Sequence, residues 1–223
     1  MRAAILTYEG FNELDSFVAL AWLNRVPAWR ADIVSDKKRI VSMNGVGVDN
    51  AAPVDDLPGY DIILVGSGIA TREVVADAAR MARLRIDPAR QIVGAQCSGA
   101  LLLATLGLLK DVPVCTDLTS RPWVAATGAQ VVEAPFHARG NVASAGGCMA
   151  SAYLAAWAIA RGAGMGAAEA VIDYVAPVGQ KAETVARVLG VIAPFVDEEG
   201  CNSELDEHSA PQNDPAMMKE EQA

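Results

Sequence analysis

Cys97 is the residue whose setting most directly suggests chemistry. It lies in Ile92-Val93-Gly94-Ala95-Gln96-Cys97-Ser98-Gly99-Ala100-Leu101-Leu102-Leu103-Ala104, where an apolar run ends in small residues and a helical pattern starts at once. Strand, sharp turn and helix in that order make a nucleophile elbow. It exposes the side chain at its tip at the C-terminal edge of a sheet, where open α/β folds bind ligands. A helix that follows directly presents free N–H groups and the positive end of its dipole to the sulfur, which favours thiolate over thiol. Gly94 and Gly99 suit the close backbone approaches of such a turn. The competing reading is a buried structural cysteine that ends a core strand.

Other reactive side chains are sparse. Cys115 and Cys148 stand beside apolar residues and read as core, and Cys201 falls near the C-terminus. The four cysteines have no paired metal-ligand spacing, so neither a zinc site nor a disulfide framework is expected, and no cofactor is called for. Of the two histidines, His137 falls in an expected strand or hairpin and His208 in an acidic segment, which leaves little room for a Cys–His mechanism. Gly66-Ser67-Gly68 ends an apolar strand but lacks the third glycine and the acidic residue of a nucleotide-binding loop.

The 223 residues, 52% hydrophobic and 20% charged, suit one substantial globular, soluble domain. Apolar runs such as 62–65 and 101–104 are too short to span a bilayer, and acidic residues at 9, 13 and 15 spoil a signal-peptide reading of the start. A cytoplasmic protein with no membrane partner is expected. The net charge of −9 is local: from Asp197 onward there are nine acidic residues and one lysine, while the rest carries 17 basic and 18 acidic residues. No basic stripe exists for nucleic acid. The division is therefore a domain over 1–196 and an acidic tail over 197–223, poor in large apolar residues and surplus to the core.

The elements that must position Cys97 follow from hydrophobic periodicity. Strands are expected at 3–7, 29–34, 61–65, 91–95, 112–115 and 130–133. Asn44-Gly45 turns a hairpin between 40–43 and 46–48, and Arg139-Gly140-Asn141 turns a strand pair within 136–144. Helices are expected at 15–24, 71–84, 98–109, 122–127, 149–161, 166–173 and 182–196. Strands alternating with helices predict an α/β three-layer sandwich with a mostly parallel central sheet, flavodoxin-like or amidotransferase-like.

Four patches then resemble the ThiJ/PfpI superfamily of class I glutamine-amidotransferase-like proteins. They are Gly10-Phe11-Asn12-Glu13-Leu14-Asp15, Asp61-Ile62-Ile63-Leu64-Val65-Gly66-Ser67-Gly68, the elbow from Gly94 through Leu109, and Gly140-Asn141-Val142-Ala143-Ser144-Ala145-Gly146-Gly147. Within that superfamily the pattern is most similar to isonitrile hydratase, with an acidic residue in a Leu-Asp step and a Cys-Ser-Gly elbow. Ser98 stands where the protease-like and glyoxalase-like branches carry a histidine, which argues against Cys–His hydrolysis. Phe17-Val18 replaces the hydratases' Gly-Pro, and Cys115-Thr116-Asp117-Leu118-Thr119 replaces their Thr-Thr-His-Trp.

The resemblance implies that Asp15 reaches the Cys97 sulfur from the loop after the first strand. Read from the residues alone, Asp15 also suits a helix N-cap, and Glu13 is a competing carboxylate. The implied reaction adds water to an isonitrile, through a Cys97 thioimidate, to give an N-substituted formamide. Asp15 moves the proton, and the N–H groups of Gly68 and Ser98 meet developing charge. Ser67, Thr116 and Trp123 are the candidate substrate-binding residues. The expected partners are a small-molecule substrate and a second copy of the chain, since superfamily members are commonly homodimers. The alternatives are a redox or electrophile sensor that oxidises Cys97 without turnover, and a ligand-binding amidotransferase-like module.

Overall fold

Strands whose residues are apolar throughout need both faces covered, and that requirement shapes this chain. In the computed structural model, which describes residues 1–196, β1 (Arg2–Leu6) leads into α1 (Glu13–Leu23) and β2 (Arg30–Ser35). The expected Asn44-Gly45 hairpin forms from β3 (Arg39–Val41) and β4 (Gly47–Asp49), as a separate two-stranded sheet. Then come β5 (Ala52–Pro53), β6 (Ile62–Val65), α2 (Thr71–Ala76), α3 (Ala78–Ala82), β7 (Ile92–Gln96), α4 (Gly99–Thr105) and α5 (Arg121–Ala125). β8 (Phe136–Arg139) and β9 (Val142–Ala145) pair antiparallel, and α6 (Ser151–Ala163), α7 (Met165–Val175) and α8 (Lys181–Ile192) follow. The acidic segment and the expectations attached to it lie outside the described residues.

The main sheet has seven strands in the order β5-β2-β1-β6-β7-β9-β8, and β8 alone runs against its neighbour. Successive side chains on a strand face opposite ways, and the two cores divide accordingly. Ala3, Ile5, Ile62, Leu64 and Ile92 pack against α1, α6, α7 and α8. Ala4, Leu6, Ile63, Val65, Val93 and Ala95 pack on the other face with residues of α2, α3, α4 and α5. Fully buried side chains such as Ile63 and Leu64 each contribute about 1.5–3 kcal/mol. The molecule is thus a three-layer α/β sandwich with a mostly parallel sheet. Among the described residues no helix is long and apolar enough to cross a membrane.

Several elements differ from their expected form. The helix read over 71–84 is two short ones, broken at Asp77, which leaves helical geometry (φ −87, ψ 94) and accepts the Arg80 N–H on its side chain. The strands read at 112–115 and 130–133 reduce to one parallel bridge between Val114 and Val131. The helix read over 98–109 stops at Thr105, and Gly107 (φ 75) makes the turn that follows.

Glycine is demanded where α4 leaves the sheet. A Cβ on Gly99 would lie 2.6 Å from the Gly66 carbonyl oxygen and 2.7 Å from that of Val65. Gly99→Ala should therefore destabilise the fold by about 1–3 kcal/mol. Gly190→Ala, in α8 with open space around its Cβ position, should be neutral or stabilise by up to about 1 kcal/mol. Urea midpoints of the two variants check this, and equal midpoints would refute the packing argument.

Candidate active site

Four neighbouring parallel strands, β1, β6, β7 and β9, end at one edge of the sheet, and each releases one part of the site. After β1 the chain folds back through Phe11, which bridges both Ser42 and Gly68, and the Asn12 N–H donates to the Ser67 carbonyl at 2.9 Å. Asn12 is the N-cap of α1, accepting the Leu14 N–H on its side chain at 3.0 Å. That leaves Asp15 free of capping duty. The first turn of α1 carries its carboxyl inward, where it is 3% exposed.

The loop after β6 supplies Ser67, whose hydroxyl donates to Asp15 Oδ2 at 2.5 Å. Asp15 Oδ1 is buried without a well-formed hydrogen bond. After β7 comes Cys97 in left-handed backbone geometry (φ 48), a conformation most residues avoid. Its N–H donates to the Ala145 carbonyl of β9 at 2.8 Å, and the Thr116 hydroxyl donates to its carbonyl at 2.8 Å. After β9, Gly146-Gly147 turns the chain so that Cys148 enters the same space. An oxygen of Asp15 and the sulfurs of Cys97 and Cys148 all lie within 4.8 Å of one another.

The geometry separates the two carboxylates. Glu13 accepts hydrogen bonds from the Ser42 hydroxyl and from Asn44 Nδ2, which hold it below its usual pKa and tie it to the β3–β4 hairpin. Asp15 is pushed up, because burial outweighs the hydrogen bond from Ser67 and the weaker, poorly aligned contacts from the two thiols. Cys97 is also pushed up, by burial first and then by the charge of Asp15. This reverses the direction expected from a helix N-terminus: α4 has only seven residues, and desolvation beside a carboxylate wins. The resting sulfur is a neutral thiol with a proton acceptor beside it.

A pocket of about 440 Å³ opens over this pair, lined by Ser67, Gly68, Cys97, Ser98, Trp123 and Cys148 among others. Its lining also includes Asp117 and the apolar Met43 and Ile69, but, among the described residues, no lysine, arginine or histidine. The Arg72 guanidinium lies over the Trp123 ring, 5.0 Å from its centroid, and steadies that wall. The Gly68 N–H donates to Ser98 Oγ at 3.2 Å, and Ser98 Oγ is 2.8 Å from Thr71 Oγ1, so that N–H must exchange partners to meet a substrate. Thr116 does not line this pocket. It braces the elbow from below and faces a neighbouring cleft of about 280 Å³.

Cys148 is the residue that sequence reasoning placed wrongly: it is half-buried in the site rather than core, whereas Cys115 is fully buried as expected. Asn12 and Gln96 were also missed. Asn12 Nδ2 donates to Cys148 Sγ at 3.2 Å, and Gln96 Nε2 lies 3.4 Å from Cys97 Sγ while donating to the Gly147 carbonyl at 2.8 Å. The glycine pair before Cys148 was the available signal. Two sulfurs and a carboxylate are also a donor set for a thiophilic metal ion, a convergence that linear spacing does not reveal. His137 is not part of the site, its ring packing on Phe195 at 4.9 Å between centroids.

The DJ-1/PfpI family model matches residues 1–161. The chain belongs to the DJ-1/PfpI family. A ThiJ/PfpI family protein from Pseudomonas syringae superposes with a TM-score of 0.71 at 20% identity, over 86% of this chain and 87% of that one. Oxidized DJ-1 from Toxoplasma gondii gives 0.68 at 16% identity, over 78% and 97%. A DJ-1 superfamily protein from Salmonella typhimurium, crystallised as a cysteine-to-alanine mutant, gives 0.69 at 21% identity, over 78% and 97%. No curated protein sequence matches the chain. At these identities the DJ-1/PfpI neighbours establish the fold and leave the chemistry to the site itself.

The buried acid of this DJ-1/PfpI site has a consequence for stability. The raised pKa of Asp15 means that the folded chain holds its proton to higher pH than the unfolded chain does. Its contribution is therefore fully present below about pH 4 and is lost as pH rises through the folded pKa. Asp15→Asn should remove that decline and be at least as stable as wild type at neutral pH. Urea unfolding between about pH 4 and 8 reads this out. A variant that parallels wild type across the window would show that Asp15 is not desolvated.

Proposed function

We propose that this protein is an enzyme that adds water to an isonitrile or a similarly small, uncharged electrophile, with Cys97 as nucleophile and Asp15 as proton carrier. One observation carries the reading: a neutral thiol lining a pocket has a carboxyl with a raised pKa within 4.8 Å, and among the described residues no basic side chain lines that pocket. A lone, permanently ionised sulfur suits a sensor; a thiol–carboxyl pair suits adding S–H across a substrate carbon. With Asp117 in its lining, Asp15 within 4.8 Å of the Cys97 sulfur and apolar walls at Met43, Ile69 and Trp123, the pocket favours a neutral, partly apolar molecule.

The residues support the following sequence. Asp15 takes the thiol proton as Cys97 Sγ bonds to the terminal isonitrile carbon, and returns it to that carbon, giving the thioimidate. Asp15, now a carboxylate again, takes a proton from water as the water oxygen bonds to the same carbon and passes that proton to the nitrogen, giving a tetrahedral adduct. The C–S bond then breaks as the adduct's hydroxyl proton passes by way of Asp15 to the sulfur, and the N-substituted formamide leaves. Ser67 holds the carboxyl during both transfers. The Ser98 hydroxyl, joined to Gly68 and Thr71, offers a donor at the pocket wall. By its resemblance to proteins that are commonly dimeric, the chain is proposed to work as a homodimer.

Incubation with one aliphatic and one aromatic isonitrile, following formamide by chromatography, tests the reading. Cys97→Ser should retain less than about a tenth of the rate, and Asp15→Asn should lose about 10²–10⁴-fold. Glu13→Gln should stay within about threefold, since its carboxyl faces the hairpin. No formamide from either compound, or full activity in Cys97→Ser, would end the proposal.

A further inference from the structure

The reaction above uses one sulfur and one carboxyl, yet the site holds a second sulfur. Cys148 follows Gly147 (φ 88), is half-buried, and lines the same open pocket as Cys97. Its Sγ lies within 4.8 Å of Cys97 Sγ, and Asp15 stands within the same distance of both. A disulfide needs its sulfurs at about 2.0 Å, so side-chain rotation must close the remaining gap. Thiol coupling also needs a base to take a proton, and the buried Asp15 Oδ1 has no well-formed hydrogen bond to hold it elsewhere. Burial and the charge of Asp15 push the Cys148 thiol up, and Asn12 Nδ2, 3.2 Å from its Sγ, works against them by supporting the thiolate as proton transfer begins.

We propose that Cys97 and Cys148 form a reversible intrachain disulfide when the protein meets a hydroperoxide, closing the site and sparing Cys97 from irreversible oxidation. Cys148, the more exposed sulfur, gives its proton to Asp15 and attacks the distal peroxide oxygen. The O–O bond breaks, Asp15 returns the proton to the departing oxygen, which leaves as alcohol or water, and Cys148 becomes a sulfenic acid. The Cys97 sulfur then attacks the Cys148 sulfur, its proton passes through Asp15, and hydroxide departs as water. Two thiols are oxidised by two electrons in all, and one hydroperoxide is reduced. A dithiol reductant reverses the bond by exchange.

The sequence makes the test direct, because trypsin leaves each of the four cysteines in its own peptide: Cys97 in 91–110, Cys115 in 111–139, Cys148 in 140–161 and Cys201 in 188–219. The full chain is treated with hydrogen peroxide in chelator-containing buffer, capped with iodoacetamide and digested without reductant. Peptides 91–110 and 140–161 should appear joined, two hydrogens lighter than their sum, with peptide 111–139 alkylated. The unreduced protein should run as a single chain in denaturing gel electrophoresis. Cys148→Ser should abolish the joined pair and raise sulfinic acid at Cys97 about tenfold or more over wild type, while Cys115→Ser should leave the pair intact. Dithiothreitol should restore both thiols of wild type but not the sulfinic acid of the variant. Equal sulfinic acid in wild type and Cys148→Ser overturns the proposal, as does a pair formed by Cys97 or Cys148 with Cys115 or Cys201, a pair bridging two chains, or thiols left unmodified. The readout requires no isonitrile, so failure of the hydratase reading leaves it standing.

Discussion

The backbone of Cys97 is held at a φ of 48, a left-handed conformation that costs a non-glycine residue on the order of 1–3 kcal/mol, and the rest of the site is arranged around it. Three contacts hold it there. The Ala145 carbonyl takes its N–H, the Thr116 hydroxyl binds its carbonyl, and Gly99 lets α4 start directly against the backbone of Val65 and Gly66. Each contact comes from a different segment, so the conformation is set by the sheet as a whole. The strained turn brings the sulfur within 4.8 Å of a carboxylate oxygen from the helix after β1.

That proximity decides the electrostatics. A thiol beside a buried carboxylate cannot ionise easily, and a carboxyl in such a place resists ionising too. The site therefore favours the state in which the sulfur keeps its proton, and the proposed reaction begins by passing that proton to Asp15. Ser67 makes the transfer feasible by supporting the charged carboxylate with a hydrogen bond while leaving Oδ1 open. Asp117, which lines the pocket, adds negative charge and pushes both groups further in the same direction. These features suit what the proposed reaction requires, a neutral substrate that takes a proton at carbon.

Much of the fold was legible because fully buried parallel strands read as uninterrupted apolar runs, as at Ile62–Val65. The elbow was legible because small residues crowd between such a run and a helical pattern. What failed was whatever depends on competition between neighbours. Asp77 breaks a helix that periodicity reads as continuous, because its side chain bonds the Arg80 N–H instead. Val112–Cys115 has a strand-like composition, yet only Val114 finds a partner in Val131. The polarity of the thiol was misread because a helix N-terminus is visible in sequence, whereas the burial and the carboxylate that oppose it are tertiary. Cys148 was read as core for the same reason: its neighbours along the chain are small or apolar, and its neighbours in space come from residues 12, 15 and 97.

The placement of Cys148 follows from the edge of the sheet. β8 runs antiparallel to β9, and the tight turn between them makes β9 parallel to β7. Had β9 run the other way, Gly146, Gly147 and Cys148 would leave at the opposite edge, and the Ala145 carbonyl would not meet the Cys97 N–H. The antiparallel hairpin therefore supplies both the brace for the strained elbow and the second sulfur. It is anchored from outside, where Phe136 packs on Trp157 of α6 and on Phe195, and the buried Trp157 Nε1 donates to the Phe195 carbonyl at 3.1 Å. The end of the described chain is thus packed behind the strand pair that sets the geometry of the sulfurs, which couples the integrity of the last helices to the chemistry at the far edge of the sheet.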